Sequence, residues 1–251
     1  MYVSELVFPF ATAHGAYVFF YFGKNIFQHA KEGKMSRENA FIITTSSGEG
    51  IGQLFLELGA DALISVGDAS PSEEDFLLAI SSARAESILI LPNGEEALAS
   101  ATRAASGLGF VRVLPTRSFS EGYVALASMP RGESADLLYS LAIPALAAMS
   151  EIEIVPEVDG FNPRYSAYSR GERYATSASA EAALFESLER LLLPSHRIIT
   201  LIVGRGVTNS RRVFVTERLG ELYPDREIIV YIGGQTATEY YIALRQMGKK
   251  E

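Results

Sequence analysis

Residues 40–66 read AFIITTSSGEGIGQLFLELGADALISV, and their pattern decides the fold class. Ala40–Thr45 is an apolar, β-branched run, the pattern of a strand covered on both faces. Ser46-Ser47-Gly48-Glu49-Gly50 breaks it. Ile51, Leu54, Phe55 and Leu58 then recur at three- and four-residue spacing, which places them on one face of a helix. Gly59 stops that helix, and Ala62–Val66 is a second strand. Strand, short polar loop, helix and strand make a βαβ unit, for which parallel strands are the default.

The alternation continues downstream. Ser70-Pro71-Ser72-Glu73 predicts a helix start, with Ser70 as N-cap, Pro71 at the first helical position and Glu73 closing a capping box. Phe76, Leu77, Ile80 and Ala83 form its expected inward face. Strand Ser87–Leu91 ends at Pro92-Asn93-Gly94, and a helix carrying Leu98, Ala101 and Ala105 runs to Gly107. Strand Phe110–Leu114 ends at Pro115-Thr116-Arg117-Ser118. Residues 118–129 and 134–149 read as helices, with Pro144 predicted to kink or split the second. The rest is mixed: strand Ile152–Val155, a Tyr-, Ser- and Arg-rich hairpin over 164–176, and a helix over 180–193. Strand Arg197–Val203, helix Ser210–Tyr223, strand Glu227–Ile232 and the apolar segment Tyr240–Leu244 follow. Upstream, Tyr2–Phe8 and Ala16–Phe22 read as two strands joined by a turn. The expected architecture is α/β, with a lead segment over 1–37, a parallel-sheet lobe over 38–130 and a second mixed lobe over 131–251. The lobe boundary is placed at Met129–Glu133, without a linker long enough for independent domains and without an internal repeat.

Composition narrows the function. With 48% hydrophobic and 21% charged residues in 251, disorder and coiled coil are poor readings. The formal net charge of −8, without a basic run, argues against nucleic-acid binding. No cysteine is present, which excludes disulfides, thiolate metal sites and a cysteine nucleophile. The apolar start carries Glu5 where a signal peptide needs positive charge, and Pro9, His14 and Gly15 crowd what would be a membrane helix. The expectation is a cytoplasmic protein with no membrane insertion.

Candidate site residues gather at strand ends. Ser46, Ser47 and Gly48, then Asn93, then Thr116, Arg117 and Ser118 follow three strands expected to share one edge, where α/β sheets bind ligands. Each loop precedes a helix whose free N–H groups favour an anion, and Arg117 adds a fork for a carboxylate or phosphate. The plainer reading makes Ser47, Asn93 and Ser118 helix caps. Gly233, Gly234 and Gln235 also end a strand, either for close backbone approach or simply as a turn. Gly204-Arg205-Gly206 has the same two readings and is not a Walker loop, because no Gly-Lys-Ser/Thr follows. His14, His29 and His196 are scattered without ligand spacing, so no metal or other cofactor is expected. No Gly-x-Ser-x-Gly elbow supports a serine nucleophile, and the carboxylates of Glu73, Glu74 and Asp75 are explained by the helix dipole.

In order, GIGQLFLELGADALISVGDASPSEED at 50–75, ILPNGEEAL at 90–98, VLPTRSFSEGYVAL at 113–126 and YPDREIIVYIGGQ at 223–235 resemble the C-terminal domain of FakA-type fatty acid kinase subunits. That family also carries a dihydroxyacetone-kinase L-like (DhaL) nucleotide domain. The resemblance extends over residues 38–246 and implies a fold like that of DegV and FakB proteins. It implies as partners a FakB-like fatty-acid-binding protein and a DhaL domain that binds ATP and magnesium. The Asp-Gly-Asp-Thr-Gly motif of that domain is absent here, and the family's closely spaced histidines are not found in residues 1–37. Gly67-Asp68-Ala69-Ser70-Pro71 also departs from the Gly-Gly-Gln and Asn-Pro-Ser of relatives. The resemblance therefore implies a module not catalytic alone, which docks a lipid-carrying partner or supports dimerisation, including as a homodimer. The alternative is a free-standing DegV-like binder of a fatty acid or other small acidic ligand. An independent kinase is the weakest reading, because phosphoryl transfer needs metal- and phosphate-cradling groups.

Overall fold

The computed structural model describes residues 7–11, 17–20, 39–65, 67, 69–83, 85–159 and 162–246. By packing, the chain divides into two compact units, Met1–Ser47 with Gly52–Leu146, and Gly48–Ile51 with Ala147–Glu251. The division thus falls one helix after the boundary expected at Met129–Glu133.

The first unit is built on a sheet of order β1-β2-β4-β3-β5-β6, formed by β1 (Val7–Ala11), β2 (Tyr17–Phe20), β3 (Phe41–Ser46), β4 (Ala62–Ser65), β5 (Ile88–Leu91) and β6 (Val111–Val113). Strands β4, β3, β5 and β6 are parallel, as the βαβ pattern predicts. β2 pairs antiparallel with β4, and β1 with β2, so two antiparallel strands do precede the α/β pattern, while the turn expected between them lies outside the described residues. The parts of the expected strands at residues 2–6, 16 and 21–22 lie outside the described residues. All four residues of β5 are buried, which is why it reads as a continuous Ile-Leu-Ile-Leu run instead of an alternation.

Helices α1 (Glu49–Leu58), α2 (Glu73–Ala83), α3 (Glu95–Ala104), α4 (Phe119–Ser128) and α5 (Ala135–Ala147) follow in chain order. Helix α2 starts later than Ser70 and Pro71 suggest. Ser72 Oγ accepts the Asp75 N–H at 3.2 Å and Asp75 Oδ2 accepts the Ser72 N–H at 2.8 Å, a reciprocal box that makes Ser72 the cap. The inward face of α2 is Phe76, Ala79 and Ile80, with Ala79 in place of the expected Leu77, which is exposed. Those three join Ile43, Ile64, Ile88, Ile90 and Val111 in one core. Helix α5 is continuous and is not split at Pro144.

The second unit carries a sheet of order β11-β10-β12-β7-β8-β9, from β7 (Ser150–Asp159), β8 (Asn162–Ser169), β9 (Glu172–Ser177), β10 (Ile198–Val203), β11 (Glu227–Ile232) and β12 (Tyr240–Arg245). The expected hairpin is there as β8 and β9, and β7 pairs with β8 along its length. Only β10 and β11 are parallel. The final strand β12 enters the middle, with Ile242 facing Leu201 on one side and Ile152 on the other. Helices α6 (Ala180–Leu191) and α7 (Asn209–Leu222) contribute Ala183, Leu184, Leu188, Val215 and Leu219 to a core with Ile152, Ile154, Ile199, Tyr240 and Leu244.

Candidate functional site

In the first unit β3, β5 and β6 lie side by side, so their carboxyl ends share an edge. Thr44 pairs with Leu91 and Ile90 with Val113, which brings Ser46, Asn93 and Thr116 to neighbouring places there. Asn93 organises that edge. It is buried and holds a φ of 57°, a left-handed conformation that asparagine tolerates. Its Nδ2 donates to Thr44 Oγ1 at 2.8 Å and to the Thr45 carbonyl at 3.1 Å. Its N–H donates to Thr116 Oγ1 at 3.1 Å. Thr44 Oγ1 donates in turn to the Leu91 carbonyl at 3.2 Å, and Thr45 Oγ1 to the Pro92 carbonyl at 2.5 Å. Buried hydroxyls and amides need partners, and the strand tips supply most of them to one another, while the buried Asn93 Oδ1 is left without a hydrogen bond. Asn93 Oδ1 sits against Gly122, where any side chain would collide with it.

Ser118 caps α4: its Oγ accepts the Glu121 N–H at 3.1 Å, and Glu121 Oε2 accepts the Arg117 N–H at 2.5 Å. The Arg117 guanidinium pairs with Glu95 at 2.9 Å, with both side chains well exposed. Ser46 is buried. Among the described residues, the shielded hydroxyls of Ser47 and Ser120 have no hydrogen-bond partner.

Gly48 belongs with the second unit. There Ile51 N–H donates to the Gly233 carbonyl at 3.0 Å. A Cβ on Gly48 would come within 2.7 Å of Gln235 N, and one on Gly50 would overlap the Ile232 carbonyl oxygen. Gly234 holds a φ of 76°. Both readings of Gly233-Gly234 therefore apply, since the turn needs a glycine and the closely approaching backbone is the chain's own. Buried Gln235 donates from Nε2 to the Ile202 carbonyl at 3.1 Å, and its backbone carbonyl accepts the Arg205 N–H at 2.8 Å. The ten sequence-predicted residues thus fall into two groups: Ser46, Ser47, Asn93, Thr116, Arg117 and Ser118 in the first unit, and Gly48, Gly233, Gly234 and Gln235 in the second.

Sequence reading missed two charged groupings. In the second unit Arg211 bridges Glu181 at 2.7 Å and Glu239 at 2.9 Å, and Tyr240 Oη donates to Glu181 at 2.9 Å. Burial, then the Glu181 charge, push the Tyr240 phenol far above its usual range. These residues come from α6, α7, β12 and the residue just before β12, and no spacing in the chain links them. In the first unit Asp61 Oδ2 accepts the Ile42 N–H at 2.8 Å while burial pushes its carboxyl up to about 6, partly offset by Arg131. His196 is buried, and burial, with Arg226 adding to it, lowers its pKa. Its Nδ1 accepts the Leu193 N–H at 3.0 Å. His14 and His29 lie outside the described residues. Among the described residues, no three His, Cys, Asp or Glu side chains cluster as metal ligands, and no helix is long and apolar enough to cross a membrane.

The model of the FakA-like C-terminal family of fatty acid kinase matches residues 41–156 and 164–245. An uncharacterised protein of Staphylococcus aureus strain USA300 is 28% identical over 231 residues, covering 86% of this chain and 41% of that protein. The chain thus spans about two-fifths of the length of the curated relatives it matches. Among solved structures, dihydroxyacetone kinase of C. freundii with AMP-PNP and Mg2+ superposes with a TM-score of 0.69 at 13% identity, over 98% of this chain and 53% of that one. A DegV lipid-binding protein of Thermotoga maritima gives 0.55 at 14% identity, over 83% of this chain and all (100%) of that one. The Streptococcus pneumoniae Fak B3 protein loaded with linoleic acid gives 0.54 at 11%, over 83% and 100%. At such identities the likeness is one of fold, a DegV-like α/β arrangement. The family match, which takes in β3 to β12 apart from the β7–β8 tip, is of another kind: the chain belongs to the FakA-like C-terminal family of fatty acid kinase.

Proposed function

We propose that this chain is a non-catalytic module of a bacterial, cytoplasmic FakA-type fatty acid kinase system. It docks a FakB-like fatty-acid-binding protein or supports dimerisation, while a DhaL-type domain supplies ATP and magnesium. Family membership supports the setting. The observation that carries the role is how the strand-tip groups are used. The Asn93 amide, the Thr116 hydroxyl and the Ser118 hydroxyl bind neighbouring loops and a helix end of the first unit itself. That use makes a rigid rim suited to presenting a surface. Capture of an oleate-loaded FakB-like protein by the immobilised chain, without ATP turnover by the chain alone, is the expected result. ATP turnover without capture overturns the reading.

A second reading keeps one observation in its favour. The unpartnered, shielded hydroxyls of Ser47 and Ser120 suit a carboxylate or phosphate at the same edge. A free-standing DegV-like binder would then carry a fatty acid through purification, detectable by native mass spectrometry.

A further inference from the structure

Each of the two sheets ends in two edge strands, and an unpaired edge offers its backbone to any extended chain. Three of these edges carry something that prevents such pairing. β1 has Pro9 and an irregular register between Val7 and Phe10. β6 is three residues long, and Arg112 Nη1 turns back onto the Val111 carbonyl at 3.3 Å. β9 opens with the exposed Glu172 and Arg173, pairs with β8 through a register shift, and gives its Tyr174 carbonyl to Arg190 of α6. β11 has none of these devices. Its six residues, EIIVYI, hold an unbroken register on β10 and include no Pro, Lys or Arg.

The pairing with β10 fixes which backbone groups are free. Glu227 N–H donates to the Arg197 carbonyl at 2.9 Å, and Gly233 N–H to the Val203 carbonyl at 2.8 Å. A parallel ladder uses every second residue, so Glu227, Ile229, Tyr231 and Gly233 face β10. Ile228, Val230 and Ile232 turn their N–H groups the other way, where no described residue accepts them. Gly50 stands against the Ile232 carbonyl, so the start of α1 closes the edge there and keeps the open length short. The Ile232 side chain is 64% exposed.

We propose that β11 is a docking edge for an extended segment of another protein, apolar in its middle and basic at its ends, which adds a strand to the second unit's sheet. The backbone selects the class of occupant. A row of N–H and C=O groups is satisfied by another extended backbone, and neither a lipid chain nor a single anion supplies that pattern. Charge selects the ends. Glu227 begins the strand exposed, and Glu49, also exposed, lies beside Gly234 just past its end. Among the described residues neither acid has an ion pair, whereas Arg197, at the neighbouring start of β10, is taken up by Asp225 at 3.0 Å. A second copy fits poorly. Antiparallel pairing of two β11 strands about Val230 sets Glu227 of each beside Glu49 of the other, on chains whose net charge is already −8. The inference goes beyond the proposed function, whose rim lies in the first unit.

The probe is the fluorescein-labelled peptide Lys-Thr-Ile-Thr-Val-Thr-Lys, whose anisotropy should rise saturably with added chain. In the complex, amide exchange at Ile228, Val230 and Ile232 should slow about tenfold, while Ile229 and Tyr231, already bonded to β10, stay unchanged. The same peptide with every peptide nitrogen methylated should not bind, and one ending in Glu instead of Lys should bind about fivefold more weakly. Val230→Pro removes an outward N–H and spares the β10 ladder, and Ile232→Lys places a charge at an exposed site. Each should weaken binding about tenfold with the circular-dichroism melt of the chain retained. Glu227→Lys should reverse the preference between the two peptides. Absence of saturable binding, binding that methylation or both edge variants leave unchanged, or protection that misses the outward amides overturns the proposal. So does a doubling of the chain's mass in sedimentation that Ile232→Lys abolishes, since the edge then belongs to a second copy.

Discussion

Asp61 is where a single residue has the clearest energetic signature. Its carboxyl is buried beside the Ile42 N–H, and burial lifts its pKa from 3.8 to about 6, partly offset by Arg131. The folded state therefore binds a proton that the unfolded state releases. The associated stability is complete below pH 3.8 and is lost as pH rises through about 6. A shift of this size is on the order of 3 kcal/mol above neutrality. Asp61→Asn keeps an oxygen for the Ile42 N–H and removes the charge. The variant should match the natural chain at pH 4 and exceed it by about 2–3 kcal/mol in urea unfolding above pH 7. A variant uniformly weaker at every pH would mean that the hydrogen bond outweighs desolvation. Asp61 stands between Ala60 and Ala62 with no local sign of burial, so sequence reading passed it over. Asn93, Thr116 and Ser118 were legible as residues of interest because each follows a strand. Their partners, Thr44 and Gly122 among them, are fixed only by which strands become neighbours.

At the scale of elements, start and stop signals located most helices within a residue or two, because caps are local chemistry. The late start of α2 shows how far that goes. Ser70-Pro71 and Ser72 are both good starts, and the Ser72–Asp75 reciprocal pair decides between them. Contacts between elements are another matter. Arg211 ties the first turns of α6 and α7 to the start of β12 through Glu181 and Glu239, all three side chains being mostly buried. Arg211→Met should leave two carboxylates facing each other without compensation. Because these groups keep some solvent contact, a loss of about 2–4 kcal/mol in urea unfolding is expected. Arg211→Lys should recover less than half of it, since one ammonium cannot match the guanidinium's fork to both acids. Full recovery by lysine would reduce the cluster to simple charge balance.

For the whole molecule, the decisive feature is the place of the last strand. Tyr240–Leu244 is legible as an apolar segment, and the structure makes it β12, central in the second unit's sheet, with Tyr240, Ile242 and Leu244 buried. Ending the chain after Thr238 should therefore remove the strand between β10 and β7 and unfold that unit, read as loss of β signal in circular dichroism and rapid proteolysis beyond Ala147. A truncated chain with an intact second unit would contradict the strand order. The burial of several large side chains, each contributing roughly 1.5–3 kcal/mol, makes survival of the sheet untenable.

Hydrophobic periodicity and loop chemistry, which are local along the chain, by themselves determined the βαβ succession, the parallel pairing of β4, β3, β5 and β6, and the family resemblance. Tertiary structure alone decided what the strand-tip groups hold, that Gly48 and Gly50 meet the Gly233–Gln235 turn, that Arg211 sits between two acids, and that β11 keeps an open edge. Each of these depends on residues distant in sequence being brought together, or on an edge being left uncovered. Spacing carries no record of either, because burial and pairing are properties of the packed whole.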